Sequence, residues 1–174
     1  LHTAYRRQRQ MCIRDRGDTA ASPVSKENLA IAKSWLASSD EYNLLVNGTA
    51  ITAFPVYYQN DLALLRQSLR IVQAGTEVAE VKGKDLIPAH GLAMSRLLKT
   101  SVFPTEALTY EQAIAYLRKE AIVLPPSVPK GYVLVTYKEI PLGFVKNIGN
   151  RANNLYPQEW RIRSGYLPDD IRTL

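Results

Sequence analysis

GYVLVTYKEIPLGFVKNIGNRANNLYP, residues 131–157, joins the most strand-like part of the chain to a stretch too rich in asparagine and glycine for a good helix or strand. GYVLVTY and LGFVK alternate around a turn at Lys138 to Pro141, which predicts an antiparallel hairpin. The proline is placed in the turn, where its missing donor does no harm. KNIGNRANNLYP, Lys146 to Pro157, then carries two cations and no acid. It reads either as a solvated loop or as a surface that touches something polar.

Working outward, ALTYEQAIAYLRKE gives the clearest helix signal. Thr109 and Gln112 form a capping box ahead of Ala113, Ile114 and Leu117, so the helix starts at Thr109. IVL after it reads as strand, and His90 to Leu98 reads as helix behind the punctuation of Pro88. A short β segment from Val78 to Lys82 ends at a Gly83 turn. A helix from Asn60 to Leu69 carries the stripe Leu62, Leu65 and Leu69. In YNLLVNGTAITAF two strand-prone runs flank Asn47-Gly48, a dipeptide that readily takes positive φ at both central turn positions, so the pair reads as a hairpin. A first helix runs from Ser25, its cap, to about Ser38, with Leu29, Ala32, Trp35 and Leu36 on one face. Helices and short strands mix without the βαβ rhythm of a parallel sheet, and the class is α+β.

The N-terminus, LHTAYRRQRQMCIRDRG, belongs outside fold reasoning. MCIRDR is one translated frame of the adapter left by transposon-based sequencing libraries. Residues 1–16 are read as that artefact and expected to be disordered; the competing reading is a basic arm for nucleic acid. The segment supplies +4 of the formal net charge of +6, together with Cys12 and His2. Without it there is no thiol for a disulfide, a metal site or a nucleophile, and the cytoplasm is the default compartment. No apolar run approaches the length needed to cross a bilayer.

Enzyme chemistry finds few parts. The glycines around Gly143 and Gly149 match no phosphate-binding loop. One histidine and scattered carboxylates offer no metal set, and no nucleophile elbow is present. His90 reads as a capping or packing residue at the start of its helix, and Asp169 and Asp170 fall in a tail, residues 165–174.

Charge concentrates elsewhere. From Lys146 through Arg163 the cations Lys146, Arg151, Arg161 and Arg163 face the single acid Glu159, an excess of +3. Asn147, Asn150, Asn153, Asn154, Tyr156 and Trp160 are interleaved with them. Cations neutralise phosphates, amides reach base edges or the 2′-hydroxyl, and aromatic faces stack on unpaired bases. That mixture suits RNA. The alternative is that the aromatics close a small core, the asparagines satisfy loop backbone and the cations are only solvated.

The ordered string V-L-V-T-Y (Val133 to Tyr137), P-L-G (Pro141 to Gly143) and K-x-x-G-x-R-x-x-N-x-Y-P (Lys146 to Pro157) resembles the C-terminal region of bacterial ribosomal RNA cytosine 5-methyltransferases of the Sun/Nop type. The likeness continues upstream through L-T-x-E-Q-A at Leu108 to Ala113 and P-x-H-x-L-A at Pro88 to Ala93. It fades into R-x-V-x-A-G at Arg70 to Gly75. The resemblance implies a small mixed domain over residues 17–87 and a PUA-like β-barrel domain with flanking helices over 88–164. It makes Lys146, Arg151, Asn154 and Tyr156 candidates for contacting RNA, with Gly149 letting the backbone turn. The residue types add Asn150, Asn153 and Arg161. Asn153 stands where many relatives have a lysine, which puts one phosphate contact in doubt.

The family's catalytic domain, with its S-adenosylmethionine fold and two active-site cysteines, lies N-terminal to this region. Its absence beside an adapter-like start is read as a truncated gene. The expectation is a monomeric fragment without cofactor or activity of its own. Its partners would be ribosomal RNA and the catalytic domain of the parent chain. The competing expectation is a protein-docking module whose apolar hairpin surface meets that domain or a ribosomal protein.

Overall fold

Residues 24–164 are described by the structure, a computed structural model. The adapter-like segment 1–16 and the tail 165–174, with Asp169 and Asp170, lie outside the described residues.

The first helix, α1 (Lys26–Ser34), starts where the sequence places it, with the Ser25 hydroxyl accepting from the Asn28 backbone N–H at 3.1 Å. It stops earlier than expected. Trp35 is its C-cap, and Leu36 leaves the helix to bridge Leu98. The backbone bonds Ala37 N–H to Leu97 and Lys99 N–H to Trp35 fasten this exit to the 97–99 segment. That segment cannot also be helical. Accordingly α3 (His90–Ala93) is much shorter than the predicted His90 to Leu98.

Strands β1 (Tyr42–Asn47), β2 (Ala50–Pro55), β3 (Thr76–Lys82) and β4 (Asp85–Pro88) form an antiparallel sheet in that order. The β1–β2 hairpin is there, but the positive-φ position is Gly48 at +60° and not Asn47, which ends β1 opposite Ala50. The two-residue turn is Gly48-Thr49, where positive φ at the first position matches the strands' twist. Helix α2 (Gln59–Ser68) matches the expected span, yet its leucine stripe does not bury. Leu62 is buried, whereas Leu65 and Leu69 are exposed.

The second sheet has the order β5 (Thr105–Ala107), β6 (Gly131–Tyr137), β7 (Ile140–Asn147), β8 (Ala152–Asn154). β5 runs parallel to β6 and is joined to it through α4 (Tyr110–Leu117), one βαβ unit that the sequence reading did not anticipate. α4 carries the full capping box between Thr109 and Gln112, as expected. Among the described residues the sheet stays open. Its edge strands β5 and β8, three residues each, do not pair with one another, so the expected barrel is not closed. Ile122 makes a single bridge to Ala152, so IVL contributes the buried side chains of Ile122 and Leu124 and not a strand.

The β6–β7 turn is Lys138-Glu139, both at positive φ (+48° and +66°). Pro141 is therefore inside β7, opposite Thr136, and not in the turn. The register slips there, leaving Leu142 without a partner between Pro141 and Gly143. A bulge already interrupts the ladder, so the missing proline N–H is tolerated.

Alternation along β6 and β7 sends their side chains to two cores. Val133, Val135 and Val145 pack with Ala113 and Tyr116 of α4. Leu134 and Phe144 face the other way and join Ile51, Val78, Leu92 and Trp35. Phe103 packs at a tilt between Trp35 (5.2 Å) and Phe144 (4.8 Å). The boundary expected at residues 87/88 falls within β4, and this core takes residues from both sides of it. The class is α+β.

Phe144→Ala removes the ring that ties the two sheets together. Chemical denaturation should show a loss of about 3–5 kcal/mol in one transition reported alike by far-UV and near-UV circular dichroism.

Candidate nucleic-acid interface

The loop between β7 and β8 folds because its asparagines satisfy backbone. Asn147 is buried; its amide donates to the Val128 and Pro129 carbonyls at 3.0 and 3.1 Å and accepts from the Gly149 N–H. Gly149 sits at φ +104°, as its place in the turn requires. Asn154 donates to the Tyr116 and Glu120 carbonyls at the end of α4, at 2.8 and 3.0 Å, and accepts from the Tyr156 N–H at 2.9 Å. Three bonds consume that side chain. Asn154, expected to touch RNA, fastens β8 to α4.

Tyr156 is likewise committed. Its ring meets Tyr116 and His90 at 5.4 and 5.1 Å, and its carbonyl accepts from Lys119. Tyr116 itself is fully buried with its hydroxyl donating to the Phe144 carbonyl, and desolvation raises its pKa. Gly143 makes room for this cluster. At φ +145° it brings backbone so close that a Cβ would stand 2.1 Å from the Tyr116 hydroxyl and 2.8 Å from His90 Nδ1. His90 Nδ1 is buried without a hydrogen-bond partner, and burial lowers the imidazole pKa. It is a packing residue, as the sequence suggested.

Lys146 pairs with Asp85 at 2.6 Å and lies over the Tyr132 ring, 5.4 Å from its centroid. The hydrogen bond to Asp85 raises its pKa. Its charge is thus matched before any ligand arrives.

The exposed members of the expected set are Asn150, Arg151, Asn153 and Arg161. Arg151 and Asn153 line a hollow with Lys119. Arg161 and Arg163 line a second with Arg118. Arg118 and Lys119 stand at the end of α4, where Arg118 donates to the Ser164 carbonyl and the Ile162 N–H meets the Leu117 carbonyl. The C-terminal segment is thereby held along α4, which brings both groups of cations to one helix end. Sequence reasoning missed Arg118 and Lys119. Their signal was the pair itself, directly after the capped helix, but nothing local says which distant cations join them. Among the described residues no group of three histidine, cysteine or acidic side chains could hold a metal.

Residues 103–162 match the family model described as the Methyltransferase RsmF PUA domain. The chain is also similar to curated proteins named Ribosomal RNA small subunit methyltransferase F. Identity to that of Enterobacter sp. (strain 638) is 29% over 138 residues, covering 79% of this chain and 27% of the relative. Identity to that of Shigella boydii serotype 4 (strain Sb227) is 25% over 150 residues, 86% of this chain and 29% of the relative. The chain thus spans less than a third of the length of these relatives. The resemblance read from the motifs is borne out, and the matched stretch holds β5–β8, α4 and both cationic hollows up to Ile162.

Asn154→Ala removes two hydrogen bonds that fasten β8 to the end of α4, while the Tyr116 carbonyl keeps the Lys119 N–H, and should cost about 1 kcal/mol in urea denaturation. Arg151→Ala, on an exposed loop, should stay within about 0.5 kcal/mol of the parent. The imidazole of His90 has its folded pKa below the unfolded 6.5, so the unfolded chain binds more protons as pH falls through that value. Stability should decline from pH 7 toward pH 5 in thermal melts. His90→Phe, which keeps an aromatic ring in place, should flatten that limb.

Proposed function

We propose that this chain is an RNA-binding region of a ribosomal RNA methyltransferase, holding ribosomal RNA for a catalytic domain carried outside it. The observation that carries this reading is the convergence of Arg118, Arg151, Arg161 and Arg163 at one end of α4, inside or beside the stretch that matches the RsmF PUA domain.

Phosphate contacts set register without reading sequence. Arg151 and Arg161 supply them, and Asn150 and Asn153, free of the structural bonds that occupy Asn147 and Asn154, offer amides to sugar or base edges. Lys146 contributes only by leaving Asp85. The reading assigns methyl transfer from S-adenosylmethionine, and its cysteine nucleophile, to the catalytic domain of the parent chain. It takes the chain as a monomer in the cytoplasm; no helix of the described residues is long and apolar enough to cross a membrane.

A second reading, docking to the catalytic domain, cannot use the hairpin surface first expected, because β6 and β7 are largely buried, and is favoured instead by exposed apolar residues on α2 and its flanks. Tyr57, Leu64, Leu69 and Val72 are 86%, 63%, 59% and 95% exposed. Apolar residues exposed singly are ordinary, whereas contiguous patches of them mark contact surfaces. If docking is the role, Leu64→Asp with Leu69→Asp should weaken association with a separately produced catalytic domain and leave RNA affinity unchanged.

Residues 17–174, which lack the basic arm, should bind a structured ribosomal RNA fragment more tightly than matched duplex DNA. Affinity should fall steeply with salt, by a logarithmic slope near −0.7 to −0.9 per phosphate contact. Arg151→Ala should weaken binding and lower that slope by about one contact. Folded protein with no RNA affinity at low salt would refute the reading.

A further inference from the structure

Outside the cationic hollows a groove of about 920 Å³ runs between the β3–β4 edge and the C-terminal segment. Trp160 forms part of one wall. Its ring is held edge-on to His90 at 5.3 Å, yet 63% of the residue is exposed, so an aromatic surface is fixed in place and left uncovered. His90, clamped in turn by Tyr156 at 5.1 Å, also lines the groove.

The facing wall, on β3, carries two carboxylates and, two residues beyond them, Lys82. In β3 the register passes from Ala79 opposite Ile51 to Glu77 opposite Thr52, leaving Val78 as a bulge. Bulges re-aim side chains, and Glu77 and Glu80, three residues apart, both line the groove. Burial, and then the charge of Glu80, push the Glu77 carboxyl above the usual range. Carboxylates repel phosphate but accept hydrogen bonds from base amino groups. Lys119 lines both this groove and the hollow of Arg151, so the acidic, aromatic site is contiguous with the cationic one.

We propose that the groove receives one unpaired nucleobase with an exocyclic amino group, stacked on Trp160 and donating to Glu77 and Glu80, while the strand's phosphates stay on the cationic hollows. The assignment rests on the RNA-binding reading above. It separates cytosine, adenine and guanine from uracil, whose carbonyl oxygens would face the carboxylates with a single N–H to offer.

The chain has two tryptophans, and Trp35 is buried, so fluorescence quenching by an added strand reports Trp160. The full chain is titrated with oligocytidylate and oligouridylate of equal length. Oligocytidylate should quench the emission and bind about tenfold tighter. Trp160→Ala should lower its affinity about tenfold, as loss of one stacked base does. Trp160→Phe should restore binding, and Glu77→Gln, whose amide can donate to uracil O4, should narrow the preference. Circular dichroism checks that each variant is folded. Equal affinity for the two strands, or an unchanged affinity in folded Trp160→Ala, overturns the groove assignment even where Arg151→Ala still weakens binding. If neither strand binds and Arg151→Ala changes nothing, the RNA-binding reading falls and this site falls with it.

Discussion

Strands β6 and β7 are buried on both faces, and most of the molecule is arranged to make that possible. Val133, Val135 and Val145 need α4 and Ile122 to cover them; Leu134 and Phe144 need Phe103, Trp35 and the first sheet. An antiparallel hairpin alone would leave one of those faces in water. The parallel strand β5 and its crossover through α4 place a helix over the first face. α3, between β3 and β7, and the pinned exit of α1 supply the second. The stack of Trp35, Phe103 and Phe144 is where the two sheets become one body.

That constraint decides the fate of the asparagine-rich segment after β7. Once β8 must lie against β7 and under the end of α4, Asn154 ties the two together by donating to the Tyr116 and Glu120 carbonyls. Asn147 does the same for the Val128 and Pro129 carbonyls. Tyr156 is drawn into the cluster of Tyr116 and His90, over a backbone that only Gly143 allows so near. For Asn147, Asn154 and Tyr156 the architectural reading of the segment therefore holds. Its asparagines divide between loop architecture and an exposed polar surface on which Asn150, Arg151 and Asn153 remain.

The surface left over is uneven in charge. Arginines collect at the C-terminal end of α4, where cations also complement the helix dipole. Glutamates collect beside Trp160, across Lys119 from them. A nucleic-acid strand is divided in the same way, with anionic backbone outside and hydrogen-bonding aromatic bases inside, and the proposed binding mode sets each part against its matching surface.

What the sequence determined by itself was local: the caps of α1 at Ser25 and of α4 at Thr109, the hairpins, the α+β class and the motif string that matches the methyltransferase relatives. The caps and the hairpins depend on residues within a few positions of one another, and backbone geometry acts at that range; the class and the motif string follow from the order of such local signals along the chain. Tertiary structure alone decided that Leu65 and Leu69 face water, that 97–99 leaves its helix to meet Trp35, and that Pro141 sits at a bulge. It alone decided, too, that Lys146 is matched by Asp85 while Arg118 and Lys119 join Arg151 and Arg161. Those outcomes depend on which distant groups compete for the same donor, acceptor or buried volume. Charge and amphipathic pattern state what a side chain can offer, and only the assembled chain determines what has already taken it.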